Sequence, residues 1–281
     1  MPFARETAFL AELFQSIAGR SRRMIGGPDN REAAEVLARR LMSSQGEASG
    51  VALAEALLDA YAAMHTPEQR QWFETLAANY GPDDARLAEA AKAWLADPTP
   101  HAANALHDAA EPRRQELLRR LNLAPGGTAA LVEMRAALLG LIPDHPDLRL
   151  VDADFAHLFS SWFNRGFLLL RRIDWSSPAD VLEKIIRYEA VHEINGFEDL
   201  RRRLVPPDRR CFAFFHPRMP DDPLIFVEVA LTRGTPASIA PLIDNSQPFL
   251  DAEDADTAVF YSISNTQAGL RGISFGNFLI K

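Results

Sequence analysis

Apolar side chains recur three and four positions apart from the start of the chain to about residue 160. After about residue 165 that rhythm gives way to short continuous apolar runs. Spacing of three and four lets a helix bury one face, whereas runs of four to eight apolar residues suit strands. The change of texture predicts an α+β protein: an all-helical bundle over residues 1–160, then a mixed α/β part over residues 161–281.

Start signals sharpen the helical half. Thr66-Pro67-Glu68-Gln69 offers a capping threonine, a proline at the first helical position and a glutamine placed to cap back, with Trp72, Phe73, Leu76 and Ala77 as the buried stripe. Asp83-Asp84 and Thr99-Pro100 open two further helices. Pro112, Pro125-Gly126-Gly127 and Pro143 divide the rest into short elements. In the second half, Pro178 begins a helix carrying Val181, Ile185, Ile186, Ala190 and Val191. Three strands are expected, over Cys211–Phe215, Leu224–Leu231 and Ala258–Ser264, the first two joined by a loop whose three prolines force a turn. Phe275 to Lys281 reads as the beginning of another helix, so the sequence is expected to be the front portion of a longer protein.

With 281 residues, of which 47% are hydrophobic, the chain can bury a sizeable core. Its net charge of -8 argues against a general nucleic-acid binder, which needs lysine and arginine to neutralise phosphates, but leaves room for a local basic pocket. Cys211 is the only cysteine, which rules out an internal disulfide and points to a reducing, cytoplasmic location; it is expected to be a buried small hydrophobe. Met1 to Glu6 lacks the apolar core of a secretory signal, and no stretch reaches the ~18 apolar residues a membrane span needs. His192-Glu193 lacks the spacing that would put two metal ligands on one helix face, so no metal site is expected. Glu228 interrupts an apolar run and must be paired with an arginine, exposed or functional. Arg201-Arg202-Arg203 and Arg209-Arg210 read as solvated faces, and His216 as solvent-facing or structural.

Chemistry concentrates between Tyr261 and Lys281. A strand runs into Ser264-Asn265-Thr266-Gln267-Ala268-Gly269-Leu270-Arg271-Gly272 and then toward a helix. Free amides in such a loop attract anions, glycine permits close approach, and Arg271 adds a charge; the same glycine spacing also serves ordinary turns and tight packing. Strand alternation puts Ala258, Phe260, Ser262 and Ser264 on one face and Val259, Tyr261 and Ile263 on the other.

Several ordered blocks then carry a family resemblance over roughly residues 160 to 281. They are Tyr188-Glu189-Ala190-Val191-His192-Glu193-Ile194, Asp199-Leu200-Arg201-Arg202-Arg203, Arg209-Arg210-Cys211-Phe212-Ala213-Phe214-Phe215-His216, Glu228-Val229-Ala230-Leu231-Thr232, and Phe260-Tyr261-Ser262-Ile263-Ser264 with Thr266-Gln267, Gly269-Leu270 and Gly272. The chain resembles the malonyl-CoA decarboxylase family. The resemblance implies a helical domain that forms homo-oligomers, followed by the front part of an acetyltransferase-like (GNAT-type) α/β domain, incomplete at its C-terminus. It implies malonyl-CoA as substrate, no separate cofactor, and CoA contacts at Gln267, Gly269, Leu270, Arg271 and Gly272 and at Thr235, Pro236, Ala237, Ser238 and Ile239. The catalytic serine it implies is Ser264 or Ser262, with Ser264 preferred for its nearness to the loop. In the family a histidine pairs with that serine as proton donor; none of the seven histidines here matches it, and none follows His216. The alternatives are an acyl-CoA-dependent acyltransferase and a non-catalytic CoA-binding or assembly protein.

Overall fold

The computed structural model describes residues 30–44, 46–243 and 248–274. The readings made on Met1 to Glu6 and on the helix at Phe275 to Lys281 lie outside the described residues.

Among the described residues eight α-helices precede the first strand: α1 (Asn30–Ser43), α2 (Glu47–Ala62), α3 (Thr66–Asn79), α4 (Asp84–Ala96), α5 (Pro100–Ala110), α6 (Arg113–Leu121), α7 (Gly127–Leu141) and α8 (Arg149–Trp162). Asp83 and Thr99 cap α4 and α5, accepting from the amides of Arg86 at 3.0 Å and Ala102 at 3.2 Å. The start of α3 differs by one residue from the expectation. His65 holds the cap position, and Glu68, not Gln69, reaches back to its amide at 2.7 Å. Trp72, Phe73 and Leu76 are fully buried, as the stripe predicted. Phe155, Phe159 and Phe163 stack edge to face from α8 into the same core.

The second half contains β1 (Leu169–Ile173), α9 (Ala179–Tyr188), α10 (Phe197–Leu204), β2 (Arg209–His216), β3 (Met219–Thr232), the short α11 (Ala240–Ile243) and β4 (Thr257–Asn265). The four strands form one antiparallel sheet in chain order. Two expectations need correction. A fourth strand, β1, pairs with β2 where the sequence shows only a short apolar run broken by Arg171 and Arg172. The proline-rich loop after His216 is also shorter than expected, because β3 resumes at Met219 and absorbs Pro220 and Pro223 with register shifts beside Phe215.

α9 and α10 cover one face of the sheet. Val181, Leu182, Ile185, Leu200 and Leu204 pack there against Ile173, Cys211, Ala213, Phe215 and Phe226. The helical half is joined to the sheet by shared core, since Met219, Leu224, Leu270 and Ile273 belong to the cluster built on α1 to α8. The most specific tie is at Gly269. A Cβ there would stand 1.8 Å from the carbonyl oxygen of Val132 in α7, so nothing larger than glycine fits. Gly269→Ala is therefore expected to destabilise the protein by about 3 kcal/mol through overpacking against backbone. An unchanged thermal midpoint would contradict that contact.

Candidate functional site

The second half of β4 decides which side chains meet. Glu228 pairs with Ser262, but its neighbour Val229 pairs with Phe260, leaving Tyr261 as an extra residue opposite β3. This bulge breaks the strict alternation. Tyr261 and Ser262 are both buried, and Ser264 follows them inward, while Ala258, Phe260 and Ile263 are exposed. The expected grouping of Phe260 with the two serines is thus overturned: one inserted residue changes the phase of the strand between them.

The inward serines meet a carboxylate that sequence reasoning did not single out. Glu189 ends α9 and places its carboxylate over β4. Ser262 Oγ donates to it from 2.7 Å and 2.8 Å, Ser264 Oγ lies 3.3 Å from Oε2, and the amides of Val191 and His192 donate to Oε1 at 2.8 Å and 2.9 Å. The two serine oxygens are 3.4 Å apart, and the amide of Ala190 donates to Ser264 Oγ at 3.2 Å. One signal in the sequence could have drawn attention to Glu189. It closes an amphipathic helix at the end where the helix dipole disfavours negative charge.

Behind Ser262 sits a second carboxylate. Glu228 is fully buried and accepts from Arg203 Nη1 at 3.1 Å, while its Oε1 has no hydrogen-bond partner among the described residues. Arg203 is 5% exposed and also donates to the carbonyls of His192 and Glu193. Arg203 is therefore no solvated residue, and neither is Arg209, which is buried against Asp208. Cys211, register partner of Glu228, is fully buried, and desolvation pushes its thiol well up. His216 is buried against the Phe163 ring rather than facing solvent. His192 packs its ring near Tyr261, with a buried Nε2 that has no partner among the described residues. No cluster of three metal-ligating side chains occurs among the described residues.

Burial pushes the Glu228 carboxyl up to about 7, against the pull of Arg203 and with a further push from Glu189. The folded protein then holds this proton more tightly than the unfolded chain, whose carboxyl titrates near 4.5. The resulting stability is fully present below that lower value and is lost as pH rises through 7, an effect on the order of 3 kcal/mol. Thermal midpoints between pH 5 and pH 8 should fall more steeply in the unsubstituted protein than in Glu228→Gln. Parallel slopes would show that Glu228 stays ionised throughout.

The loop after β4 opens on a cleft of about 400 Å³ lined by Tyr188, Asn265, Gln267, Leu270, Arg271 and Gly272, among others. Thr266 and Gln267 tie it to β3, where their side chains donate to the carbonyl of Pro223. From the helical half, Arg135 Nη1 donates to the carbonyls of Gly269 at 2.7 Å and Arg271 at 2.9 Å, while its Nε pairs with Asp152 at 2.7 Å. Of the two, the Arg271 carbonyl shares its peptide plane with the Gly272 amide; the amides of Ala268 and Gly272 have no backbone acceptor among the described residues, and both residues are exposed. Gly272 adopts φ +79°, which favours glycine, whereas Gly269 serves packing on α7 rather than approach of a ligand.

The structure brings Ser262 and Ser264 together and sets Gln267 to Gly272 beside them. Both serines are buried, 2% and 1% exposed, and neither lines the cleft, which begins at the next residue of the strand, Asn265. Thr235 to Ile239 do not join this group. They form a largely exposed segment after Thr232, which pairs with the first residue of β4, whereas the loop follows its last. The intervening strand is roughly 30 Å long.

Comparison with known proteins points to one family. Residues 166–281 match the family model described as the malonyl-CoA decarboxylase C-terminal domain, and residues 80–163 match that of the N-terminal domain. The goose (Anser anser anser) protein "Malonyl-CoA decarboxylase, mitochondrial" is 40% identical over 221 residues, covering 73% of this chain and 44% of its own length. The crystal structure of malonyl-CoA decarboxylase from Rhodopseudomonas palustris superposes with a TM-score of 0.85 at 60% identity, covering 90% of this chain and 62% of that one. The protein of the same name from Agrobacterium vitis gives 0.85 at 60% identity, covering 88% and 60%. The chain thus spans less than half of the curated goose relative and about three-fifths of the solved ones. Two consecutive family models and a shared fold at 60% identity leave one assignment: the chain belongs to the malonyl-CoA decarboxylase family.

Proposed function

We propose that this chain carries part of the site at which malonyl-CoA loses CO2 to give acetyl-CoA, with the Ser264 hydroxyl steadying the intermediate. When the bond between the α carbon and the carboxylate breaks, its electron pair passes into the thioester carbonyl, giving an enolate whose oxygen carries the negative charge. Carbon dioxide departs, and a proton added at the α carbon completes acetyl-CoA. The thioester is its own electron sink, so the protein's tasks are to orient the carboxylate out of the thioester plane and to offer a hydrogen bond to the enolate oxygen. Ser264 suits the second task. Its best contact is as acceptor from the Ala190 amide, and both acceptors within reach of its own proton lie at 3.3 Å or beyond. That weakly engaged hydroxyl, one residue before the Asn265 that lines the cleft together with Ala268, Arg271 and Gly272, is the observation on which the reading rests.

The remaining parts of the reading follow from the resemblance. The CoA diphosphate is assigned to the Gln267–Gly272 loop, while Thr235 to Ile239 stand as a separate contact for the same molecule. Residues 1–160 are assigned to assembly of a homo-oligomer, and residues 161–281 to the front of an acetyltransferase-like catalytic domain. The cytoplasmic compartment is assigned on a different ground, the single cysteine Cys211, which suits a reducing environment. No helix among the described residues is long and apolar enough to cross a membrane.

Malonyl-CoA incubated with the protein in its full reading frame, with no added cofactor, should give acetyl-CoA and CO2 in equal amounts. Release of free CoA only when an amine acceptor is supplied would favour the acyltransferase. No turnover with either would leave a CoA-binding or assembly role.

A further inference from the structure

We propose that Glu189 is a positioning residue that decides which serine hydroxyl is free for the substrate; this inference rests on the decarboxylase reading. A serine hydroxyl has one proton to donate and lone pairs to accept with. The proton of Ser262 is committed, because its oxygen bridges both oxygens of Glu189 at 2.7 Å and 2.8 Å, the usual length of a well-formed hydroxyl hydrogen bond. With Ser262 so occupied and the Ala190 amide filling a lone pair of Ser264, the Ser264 proton, donated to Glu189 Oε2 only at 3.3 Å, is the more weakly held of the two and the one that can turn toward a ligand. Glu189 is itself held still by the amides of Val191 and His192, so its direction is set by the turn after α9 rather than by the serines. Its place at the C-terminal end of α9 works against that helix's dipole, so helix stability does not explain a carboxylate there. A turn-capping role through the two amides is the competing explanation, and it involves neither serine.

The test is a double-mutant cycle on the full-length protein with malonyl-CoA. Glu189→Gln keeps the shape but presents an amide that cannot accept from Ser262 at both positions. It is expected to lower kcat by roughly 10- to 100-fold, the scale of groups that orient a reacting residue, with KM within about twofold. Because Glu189 acts through Ser264, Glu189→Gln combined with Ser264→Ala should be no slower than Ser264→Ala alone. Losses that multiply, or full kcat in Glu189→Gln, would overturn the proposal. Should the glutamine variant not fold, Glu189→Asp serves in its place, and the same pattern in the cycle is required.

A second measurement separates this proposal from the reading beneath it. A Ser262 hydroxyl proton bridging a carboxylate exchanges slowly enough to be seen by NMR in the ligand-free protein. If malonyl-CoA is not turned over, the decarboxylase reading fails, and this signal alone decides the geometry. Its presence in the unsubstituted protein and loss in Glu189→Gln uphold the positioning, and its absence from the unsubstituted protein overturns it.

Discussion

Replacing Ser264 by alanine is expected to lower kcat for malonyl-CoA decarboxylation by about 10²- to 10³-fold, the usual loss when one donor to a developing oxyanion is removed. KM should change little, because the hydroxyl contributes mainly once charge has moved onto the thioester oxygen. Ser262→Ala should lose only about tenfold, since the Ser262 proton points at Glu189 and acts on the reaction by keeping its neighbour free. Steady-state kinetics on the two variants separate the roles. If Ser262→Ala proves the more damaging in kcat, the oxyanion donor is Ser262 and the weakly engaged hydroxyl of Ser264 has another use.

The second large effect is expected far from the serines in sequence. Arg135 lies in α7, is 3% exposed, and ties Asp152 in α8 to two carbonyls of the Gln267–Gly272 loop. Arg135→Met should cost about 3 kcal/mol, because it strands a partly buried carboxylate and two inward carbonyls that have no other described donor. In a protein of this size that corresponds to a fall of roughly 6–12 °C in thermal midpoint. KM for malonyl-CoA should rise as well, since the freed carbonyls of Gly269 and Arg271 can turn outward and take the loop that lines the cleft out of its present conformation. Arg135→Lys should rescue little, because one ammonium cannot span Asp152 and both carbonyls as a planar guanidinium does. A lysine variant with native midpoint and native KM would mean that the loop is held by Gly269 packing and the Pro223 contacts alone.

These two residues mark the boundary of what the sequence made legible. The helical bundle was readable because each helix carries its own record in a stripe such as Trp72, Phe73 and Leu76 and in caps such as Asp83 and Thr99. The strands at Cys211, Leu224 and Ala258 were readable for the same local reason. β1 was not, since its alternation is diluted by Arg171 and Arg172 and its pairing with β2 is a long-range matter. The bulge at Tyr261 left no local mark, yet it determines which residues share a face with Ser262. Arg203 sits in a triplet of arginines whose first two members are exposed, so only the packing against Glu228 distinguishes it. Arg135 and Glu189 are ordinary charged residues of amphipathic helices until the fold brings them to the loop and to the serines. Local pattern specified the elements and the serine-loop segment, and tertiary contact supplied the groups that orient them.

A crystal structure of the full-length protein with an unreactive malonyl-CoA analogue tests the central claim most directly. The account expects the carbonyl oxygen of the acyl group within about 3 Å of Ser264 Oγ, Ser262 still bonded to Glu189, and the diphosphate against the amides of Ala268 and Gly272. An acyl group seated elsewhere, with both serines still closed on Glu189 and the loop amides facing only solvent, would contradict it.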